Sequence, residues 1–294
     1  MTECSAQLPY VLVLAGHDPS GGAGLIADSE AIRAGGGWAL TVPTALTVQN
    51  SCNVQAVIPQ SGESMLAMAR TLCEDFRPGA LKIGLLASEA ALTACVTLIE
   101  ELQQRWPGLP VVWDPVLKAG GGLELSTESL IHQARESLLP HVDVLTPNRA
   151  ELARLAACPT GSGDGQLAEH LLAAGAGAVL VTGTDPVERD ADPLGHGADS
   201  LADSLADSLA EPSVIHRLYR RDHATLALDC PRLTGSFHGS GCTLASHLAV
   251  RLARGMTLPS AWQAAQQATW QSLVDGQQHG RKGALPEAQF LPWR

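Results

Sequence analysis

The sequence lacks the patterns that mark several large classes of protein. It has no run of about 18 apolar residues, so a membrane-spanning helix is not predicted. The seven cysteines are scattered without a C-x-x-C spacing, and the ten histidines include no H-x-x-x-H pair. A disulfide framework and a dedicated zinc site are therefore not indicated. Neither a P-loop nor a G-x-S-x-G nucleophile elbow occurs, which excludes the enzymes built on those motifs.

The N-terminal residues and the net charge of the chain argue against membrane and nucleic-acid partners. The first nine residues contain no basic region, and the apolar stretch Tyr10–Ala15 is too short for a signal peptide. We therefore expect a cytoplasmic protein that binds no membrane. The net charge is −11, and residues 185–211 carry −7 of it. Binding of nucleic acid through a basic face is disfavoured, because the chain shows no basic excess.

The acidic stretch contains a short tandem repeat. The tetrapeptide ADSL occurs three times, at 198–201, 202–205 and 206–209. In a helix the repeat would place like charges on one face, where they repel each other. We expect residues 185–212 to form an acidic surface insertion within a single domain that spans residues 1–294.

Short apolar runs alternate with amphipathic segments over the first 180 residues. This alternation predicts an α/β fold with a parallel sheet covered on both faces. Strands are predicted at Tyr10–Ala15, Ala39–Val48, Ala80–Leu86, Pro110–Trp113, Val142–Leu145 and Ala178–Thr182. Further on, Val214–Tyr219 and Ala224–Leu228 indicate an antiparallel hairpin. Two helices follow, one from Gly241 or Cys242 to about Arg254 and one over Leu258–Asp275.

Two glycine-rich segments precede predicted helices. The first, GHDPSGGAGLIAD over 16–28, follows the first strand. Its Gly22-x-Gly24-x-x-Ala27 fits a degenerate dinucleotide fingerprint and equally a tight strand–helix turn. In the second, Gly239, Ser240 and Gly241 can form an anion cradle at a helix start. The helix dipole would lower the pKa of the Cys242 thiol and favour proton transfer there, whereas a plain helix cap would leave a buried, inert cysteine.

Polar residues also follow two of the predicted strands. Asn148 and Glu151 in TPNRAEL could supply oxygen atoms around Mg²⁺, or they could simply cap a helix. Asp114 and Lys118 in DPVLKAGGG suit a metal–phosphate site, and they also suit an ordinary surface loop. The sequence physics alone leaves both pairs of interpretations open.

Taken together and in this order, the motifs resemble hydroxymethylpyrimidine/phosphomethylpyrimidine kinases, thiamin-pathway enzymes of the ribokinase-like superfamily. The resemblance runs from about Val11 to Arg254. Its matching stretches are GHDPSGGAGLIAD, TALTVQN (44–50), KIGLL (82–86), DPVLKAGGG (114–122), TPNRAEL (146–152), VTGT (181–184) and GSFHGSGCTLAS (235–246). It implies a three-layer α/β/α fold with a mostly parallel central sheet and a late antiparallel hairpin.

The resemblance assigns roles on the side of the pyrimidine. It implies that Gln49 hydrogen-bonds the aminopyrimidine, that Ala23 and Asp28 shape and orient the pocket, and that Leu85 forms an apolar wall. Cys242 is implied as the base that accepts the hydroxyl proton.

It also assigns roles on the side of ATP and Mg²⁺, the implied cofactors. Gly239, Ser240 and Gly241 would form the anion hole for the γ-phosphoryl group. The remaining implied contacts to nucleotide and phosphates are Asn148, Glu151, Asp114, Lys118, Thr182 and Gly183. Glu151 and Asp114 would hold the metal through water and phosphate.

Other functions stay open at the level of sequence. A homodimer is expected from the resemblance. A pyridoxal or pyridoxine kinase would share the fold, although Gln49 and Cys242 favour the pyrimidine. A non-catalytic pyrimidine-binding regulatory protein and a nicotinamide-dependent dehydrogenase, the latter resting on residues 22–27 alone, are the alternatives from other classes.

Overall fold

The computed structural model describes residues 8–119, 122–158, 161–183 and 213–294. The predicted insertion at 185–212 lies outside the described residues, as do Gly120 and Gly121 of the loop after Asp114 and Thr184 of VTGT. The single domain over 1–294 stays a prediction.

The described strands form one nine-stranded sheet in the order β3-β2-β1-β4-β5-β6-β7-β8-β9. Five consecutive pairs, from β2-β1 to β6-β7, are parallel, and β3, β8 and β9 are antiparallel to their neighbours. The strands are β1 Tyr10–His17, β2 Trp38–Gln49, β3 Val54–Pro59, β4 Ala80–Ile83, β5 Val111–Trp113, β6 Val144–Leu145, β7 Ala178–Val181, β8 Ser213–Arg220 and β9 Leu226–Pro231.

Among the described residues, eight α-helices connect the strands or follow them. Several begin at a residue whose side-chain oxygen accepts an N–H of the first turn, as Ser61, Ser88 and Thr127 do. The helices are α1 Gly24–Ala34, α2 Gly62–Asp75, α3 Glu89–Arg105, α4 Glu128–Ser137, α5 Arg149–Ala156, α6 Asp164–Ala173, α7 Ser240–Ala253 and α8 Leu258–Gln278.

Side chains of β1 show how the sheet divides the core. Leu12 and Leu14 belong to a buried cluster with α2 to α6, whereas Val11, Val13 and Ala15 belong to a second cluster with α1, α7 and α8. Successive side chains of a strand point to opposite faces, so one fully apolar strand supplies both cores. The predicted three-layer α/β/α fold with its late antiparallel hairpin is confirmed.

Several strands differ from the prediction, among them β3 and β4. Strand β3 was not predicted; it pairs with β2 at the edge of the sheet, where five of its six residues are at least partly exposed. Strand β4 ends at Ile83, because Gly84 to Leu86 leave the sheet. Helix α1 begins at Gly24, after a turn in which Gly21 has a positive φ angle of 73°; Gly24 itself has a φ of 59°.

The strand order fixes where a ligand can enter. Strand β2 lies on one side of β1 and β4 on the other, so the connections after β1 and β4 diverge at the carboxyl ends of the strands. A crevice opens at such a reversal of strand order. Among the described residues, no helix has the length and apolarity needed to cross a lipid bilayer; the cytoplasmic location stays a prediction.

Candidate active site

A cavity of about 240 Å³ lies at the carboxyl ends of β1, β2, β4, β5 and β6. We call it the first cavity. It brings together twelve of the fourteen residues that the sequence singled out. They are Ala23, Gln49, Leu85, Asp114, Lys118, Asn148, Glu151, Thr182, Gly239, Ser240, Gly241 and Cys242.

A second cavity of about 360 Å³ adjoins the first. The two share Thr182, Phe237, Ser240 and Gly241, so the start of α7 forms the boundary between them. Gly183 lines the second cavity and not the first. A side chain at Gly183 would place its Cβ 2.4 Å from the carbonyl oxygen of Ile215. The backbone of Gly183 therefore packs directly against the backbone of Ile215 at this part of the wall.

The pyrimidine-side residues form one wall of the first cavity. The Gln49 amide donates from Nε2 to Thr47 Oγ1 at 2.7 Å, and Thr47 Oγ1 donates to the carbonyl oxygen of His17 at 2.8 Å. Leu85 is buried, and its carbonyl oxygen accepts from Thr44 Oγ1 at 2.5 Å. These bonds tie the Gln49 amide to the end of β1 and the backbone of Leu85 to β2.

Asp28 lies beneath the first cavity and does not line it, which corrects its expected contact with the pocket. Its carboxylate is fully buried and bonds to Lys82 Nζ at 2.9 and 3.0 Å, and Ser246 Oγ donates to it at 2.7 Å. The side chain points into the core from the middle of α1, since the ammonium of Lys82 needs a buried counter-charge.

Lys82 is a buried cation next to the site; it lies in KIGLL, and no role was predicted for it. Burial alone would lower its pKa, but the carboxylates of Asp28 and Asp114 raise the pKa above its usual value. Its ammonium lies 3.8 Å from Asp114 Oδ2. Lys82 therefore stays charged and links α1 to the loop after β5.

The carboxyl groups of Asp114 and Glu151 both line the first cavity. Burial raises the pKa of Asp114, and Asp114 Oδ2 is buried without a hydrogen-bond partner. Burial, with the Asp114 carboxylate as second cause, raises the pKa of Glu151 to about 8. Both groups would be stabilised as anions by a cation between them, so they fit Mg²⁺. In the described part of the chain no three His, Cys, Asp or Glu side chains form a metal cluster, so phosphate and water would supply the other ligands.

Asn148 and Glu151 both cap helix α5 and line the first cavity. Asn148 Oδ1 accepts the Glu151 N–H at 3.0 Å, and Glu151 Oε2 accepts the Asn148 N–H at 3.0 Å, which is a capping box at the start of α5. The capping interpretation of the motif therefore holds, and both residues also line the first cavity.

The pKa of Cys242 runs opposite to our expectation. Its thiol lies in the first turn of α7, but burial raises its pKa, and the carboxylates of Asp114 and Asp28 raise it further against the opposing charge of Lys82. The lowered pKa expected from the helix dipole is wrong here, because loss of solvent and two nearby acids outweigh one helix end. The thiol is therefore neutral, and it lines the first cavity together with Asp114.

Asp18 and His238 were not singled out from the sequence, yet both line the first cavity. The Asp18 carboxylate bonds to His238 Nε2 at 2.8 Å and accepts the N–H groups of Ser20 and Ala23 at 2.8 and 2.9 Å. Burial would raise the pKa of Asp18, but these bonds lower it. The two residues lie 220 positions apart, and no local spacing connects them.

The two glycine-rich loops touch at Gly22 and Gly239. Gly239 has a φ of 81°, and a Cβ built on it would lie 1.9 Å from the carbonyl oxygen of Gly22. No other residue fits between the loops, which is the physical reason for glycine there. The start of α7 is thereby held against the β1–α1 turn.

The family model described as phosphomethylpyrimidine kinase matches residues 18–287, over nine-tenths of the chain. The chain belongs to the phosphomethylpyrimidine kinase family.

Individual relatives agree with this family. A hydroxymethylpyrimidine/phosphomethylpyrimidine kinase of Salmonella typhimurium is 33% identical over 292 residues, covering 96% of this chain and 97% of the relative. The protein of the same name from Escherichia coli is 34% identical over 242 residues, covering 81% and 80%.

Solved structures show the same fold. An ADP complex of Bacillus subtilis pyridoxal kinase superposes with a TM-score of 0.77 at 24% identity, covering 97% of each chain. A phosphomethylpyrimidine kinase from Clostridium difficile superposes with a TM-score of 0.68 at 23% identity, covering 90% of this chain and 98% of that one. The ribokinase-like fold is thus confirmed, and all the candidate site residues lie within the span that matches the phosphomethylpyrimidine kinase family.

Proposed function

We propose that the protein transfers the γ-phosphoryl group of ATP to the hydroxymethyl group of 4-amino-5-hydroxymethyl-2-methylpyrimidine, and then to the resulting monophosphate, in thiamin biosynthesis. One observation carries the proposal: the glycine-rich start of α7 separates two adjoining cavities, and among the described residues only the first is lined by carboxyl groups. Phosphoryl transfer needs an acceptor and a nucleotide on opposite sides of such an anion-binding turn. Relatives that match nearly the whole chain carry the name of this activity.

The first cavity suits the pyrimidine. A flat aminopyrimidine needs an amide for its ring nitrogen and amino group and apolar contact for its faces. Gln49 supplies the amide and Leu85 the apolar contact, and both are held by neighbouring hydrogen bonds. In this pose the hydroxymethyl group points toward Cys242, which lines the same cavity.

The second cavity suits the nucleotide, with its triphosphate directed at Ser240 and Gly241. The amides at the start of α7 would stabilise the charge that develops on the migrating phosphoryl group. Thr182 and Gly183 would contact the nucleotide, and Lys118 and Asn148 the phosphates. Glu151 and Asp114 would hold Mg²⁺ through water and phosphate, and the metal would offset phosphate charge when bound.

The proton of the substrate hydroxyl goes to the pair formed by Cys242 and Asp114. Because the thiol is neutral and lines the first cavity beside the Asp114 carboxylate, Cys242 can take up the hydroxyl proton while it passes its own proton to that carboxylate.

A coupled assay of ATP consumption tests the proposed function. We expect turnover with hydroxymethylpyrimidine and with its monophosphate, and much weaker turnover with pyridoxal. Preference for pyridoxal would favour a pyridoxal kinase. Binding of the pyrimidine without ATP consumption in the presence of Mg²⁺ would favour the non-catalytic class.

The homodimer is also part of this proposal. Leu46 and Ile58 are directly opposed on β2 and β3, as are Val48 and Ala56, so they share one face of this edge hairpin. Leu46, Val48 and Ile58 are 40 to 50% exposed. An apolar face of this kind fits a second copy of the chain. Sedimentation analysis should give a dimer that Ile58→Asp weakens; a wild-type monomer at micromolar concentration would contradict it.

A further inference from the structure

The segment 288–294, which we call the strap, lies against the site and follows the span that matches the family. Its backbone bonds to two loops of the first cavity. The Gln289 N–H donates to the carbonyl oxygen of Ser51 at 3.1 Å. Phe290 donates to Ser236 and accepts from His238, each at 2.9 Å. Gln289 itself lines the first cavity.

The strap ends in a buried arginine whose side chain is 0% exposed. The Arg294 guanidinium donates to the carbonyl oxygens of Gly21 at 3.3 Å and Gly22 at 2.7 Å, both in the β1–α1 turn. Its Nε donates to Thr243 Oγ1 at 2.8 Å, in the first turn of α7. Glu30 on α1 is its carboxylate partner, at 3.1 Å.

These contacts place Arg294 on the joint between the two glycine-rich loops. The carbonyl of Gly22 that accepts from Arg294 is the group against which Gly239 packs. Thr243, which accepts from Arg294, donates in turn to the carbonyl oxygen of Gly239 at 2.8 Å. One planar fork of donors therefore bonds to both sides of the joint, a task that a lysine ammonium cannot reproduce.

We propose that Arg294 is a positioning residue for phosphoryl transfer, which sets the separation between the β1–α1 turn and the start of α7. The inference rests on the proposed function, because these two loops would hold the acceptor hydroxyl and the migrating phosphoryl group. Transfer depends steeply on the alignment of the two reactants, and a displacement of about 1 Å can cost about 100-fold in rate. Binding of each substrate alone depends on its own cavity and needs no such alignment.

The test compares Arg294→Ala and Arg294→Lys with the matched control Arg281→Ala. The Arg281 side chain also contacts the strap, through the carbonyl oxygen of Pro292 at 2.9 Å and the ring of Trp293. It does not hydrogen-bond to either of the glycine-rich loops, both of which are described. We expect both Arg294 variants to lose roughly 10- to 100-fold in kcat, with dissociation constants for pyrimidine and ATP within about threefold of wild type. Arg281→Ala should keep its kcat.

Hydrogen exchange of the amides at 20–24 and 239–243 gives a readout that needs no turnover. Exchange should accelerate in both loops of the Arg294 variants and stay unchanged in Arg281→Ala. An unchanged kcat with unchanged exchange would overturn the proposal, as would a kcat loss equal to that of the control. If wild type fails to phosphorylate the pyrimidine, the proposed function fails, and exchange still decides whether Arg294 positions the loops.

Discussion

The two cavities that meet at Ser240 and Gly241 differ in what lines them. The first contains the carboxyl groups of Asp18, Asp114 and Glu151 and rests on the buried Lys82. The second, over the described residues, is lined by no carboxylate, and many of its contacts are apolar side chains of α7, α8 and the hairpin. The reacting groups and the metal require charge, whereas a purine base requires mainly shape and apolar surface.

From this difference in lining we infer which property a substitution in each cavity should change. Substitutions in the first cavity should alter chemistry, charge balance and pyrimidine affinity. Substitutions in the second should alter nucleotide affinity and little else. The boundary at the start of α7 belongs to both cavities, so changes there should affect the chemical step most.

The largest effect is expected at the boundary, from Cys242→Ser. A serine hydroxyl is far less acidic than a thiol and passes its own proton to Asp114 less readily, so kcat should fall roughly 10²- to 10⁴-fold while both substrates still bind. Steady-state kinetics with calorimetric binding measures this. Cys158→Ser, at the far end of α5, serves as control and should leave kcat unchanged. Near-normal turnover in Cys242→Ser would remove the thiol from the chemistry.

The buried charges of Lys82, Asp28 and Asp114 beneath the first cavity should control the free energy of unfolding. The variant Lys82→Met tests this. Without the ammonium, Asp28 and Asp114 are buried beside each other without a cation, which costs about 3–5 kcal/mol in free energy of unfolding. Lys118→Met is the control, because Lys118 is 54% exposed and its pairing with Glu124 is worth about 1 kcal/mol at most. Denaturant unfolding measures the free energy of unfolding of both variants. Equal losses in the two would contradict a stabilising role of the Lys82 ammonium.

Two matched amide deletions should separate the cavities. Gln49→Leu should raise KM for the pyrimidine roughly 10- to 50-fold through lost hydrogen bonds and leave KM for ATP unchanged. Gln266→Leu, in the second cavity, should raise KM for ATP and leave the pyrimidine unaffected. If either variant changes both constants equally, the division of labour between the cavities is wrong.

The smallest effect concerns pH and the second cavity. Burial lowers the pKa of His216 to about 4, below its usual value near 6.5. The unfolded chain therefore binds the proton more readily, so the stability of the fold is retained above pH 6.5 and falls as the pH drops toward 4. Between pH 7 and pH 5 this one group should remove about 2 kcal/mol. The free energy of unfolding of His216→Gln should fall less than that of wild type over the same pH range. An identical dependence on pH in the two proteins would contradict this role of His216.

Much of the site could be predicted because its parts are local in sequence. Glycines before a helix, a polar residue after an apolar strand and a capping pair are each visible within ten residues. Twelve of the predicted residues line the first cavity for this reason. What stayed hidden joins distant positions, as Asp18 with His238 and Lys82 with Asp28 do. Arg294, at the other end of the chain from Gly22, showed no local signal at all.

By itself the sequence determined the alternation of strands and helices, the glycine turns and the family, since each depends on periodicity or on residues close together in the chain. The tertiary structure alone decided which charges are buried and what they contact. Asp28 therefore lies under the site rather than in it, and the Cys242 thiol has a raised pKa where its helix position predicted a lowered one. The physical reason is that solvation and charge–charge energies depend on distances in space, which a linear order of residues does not specify.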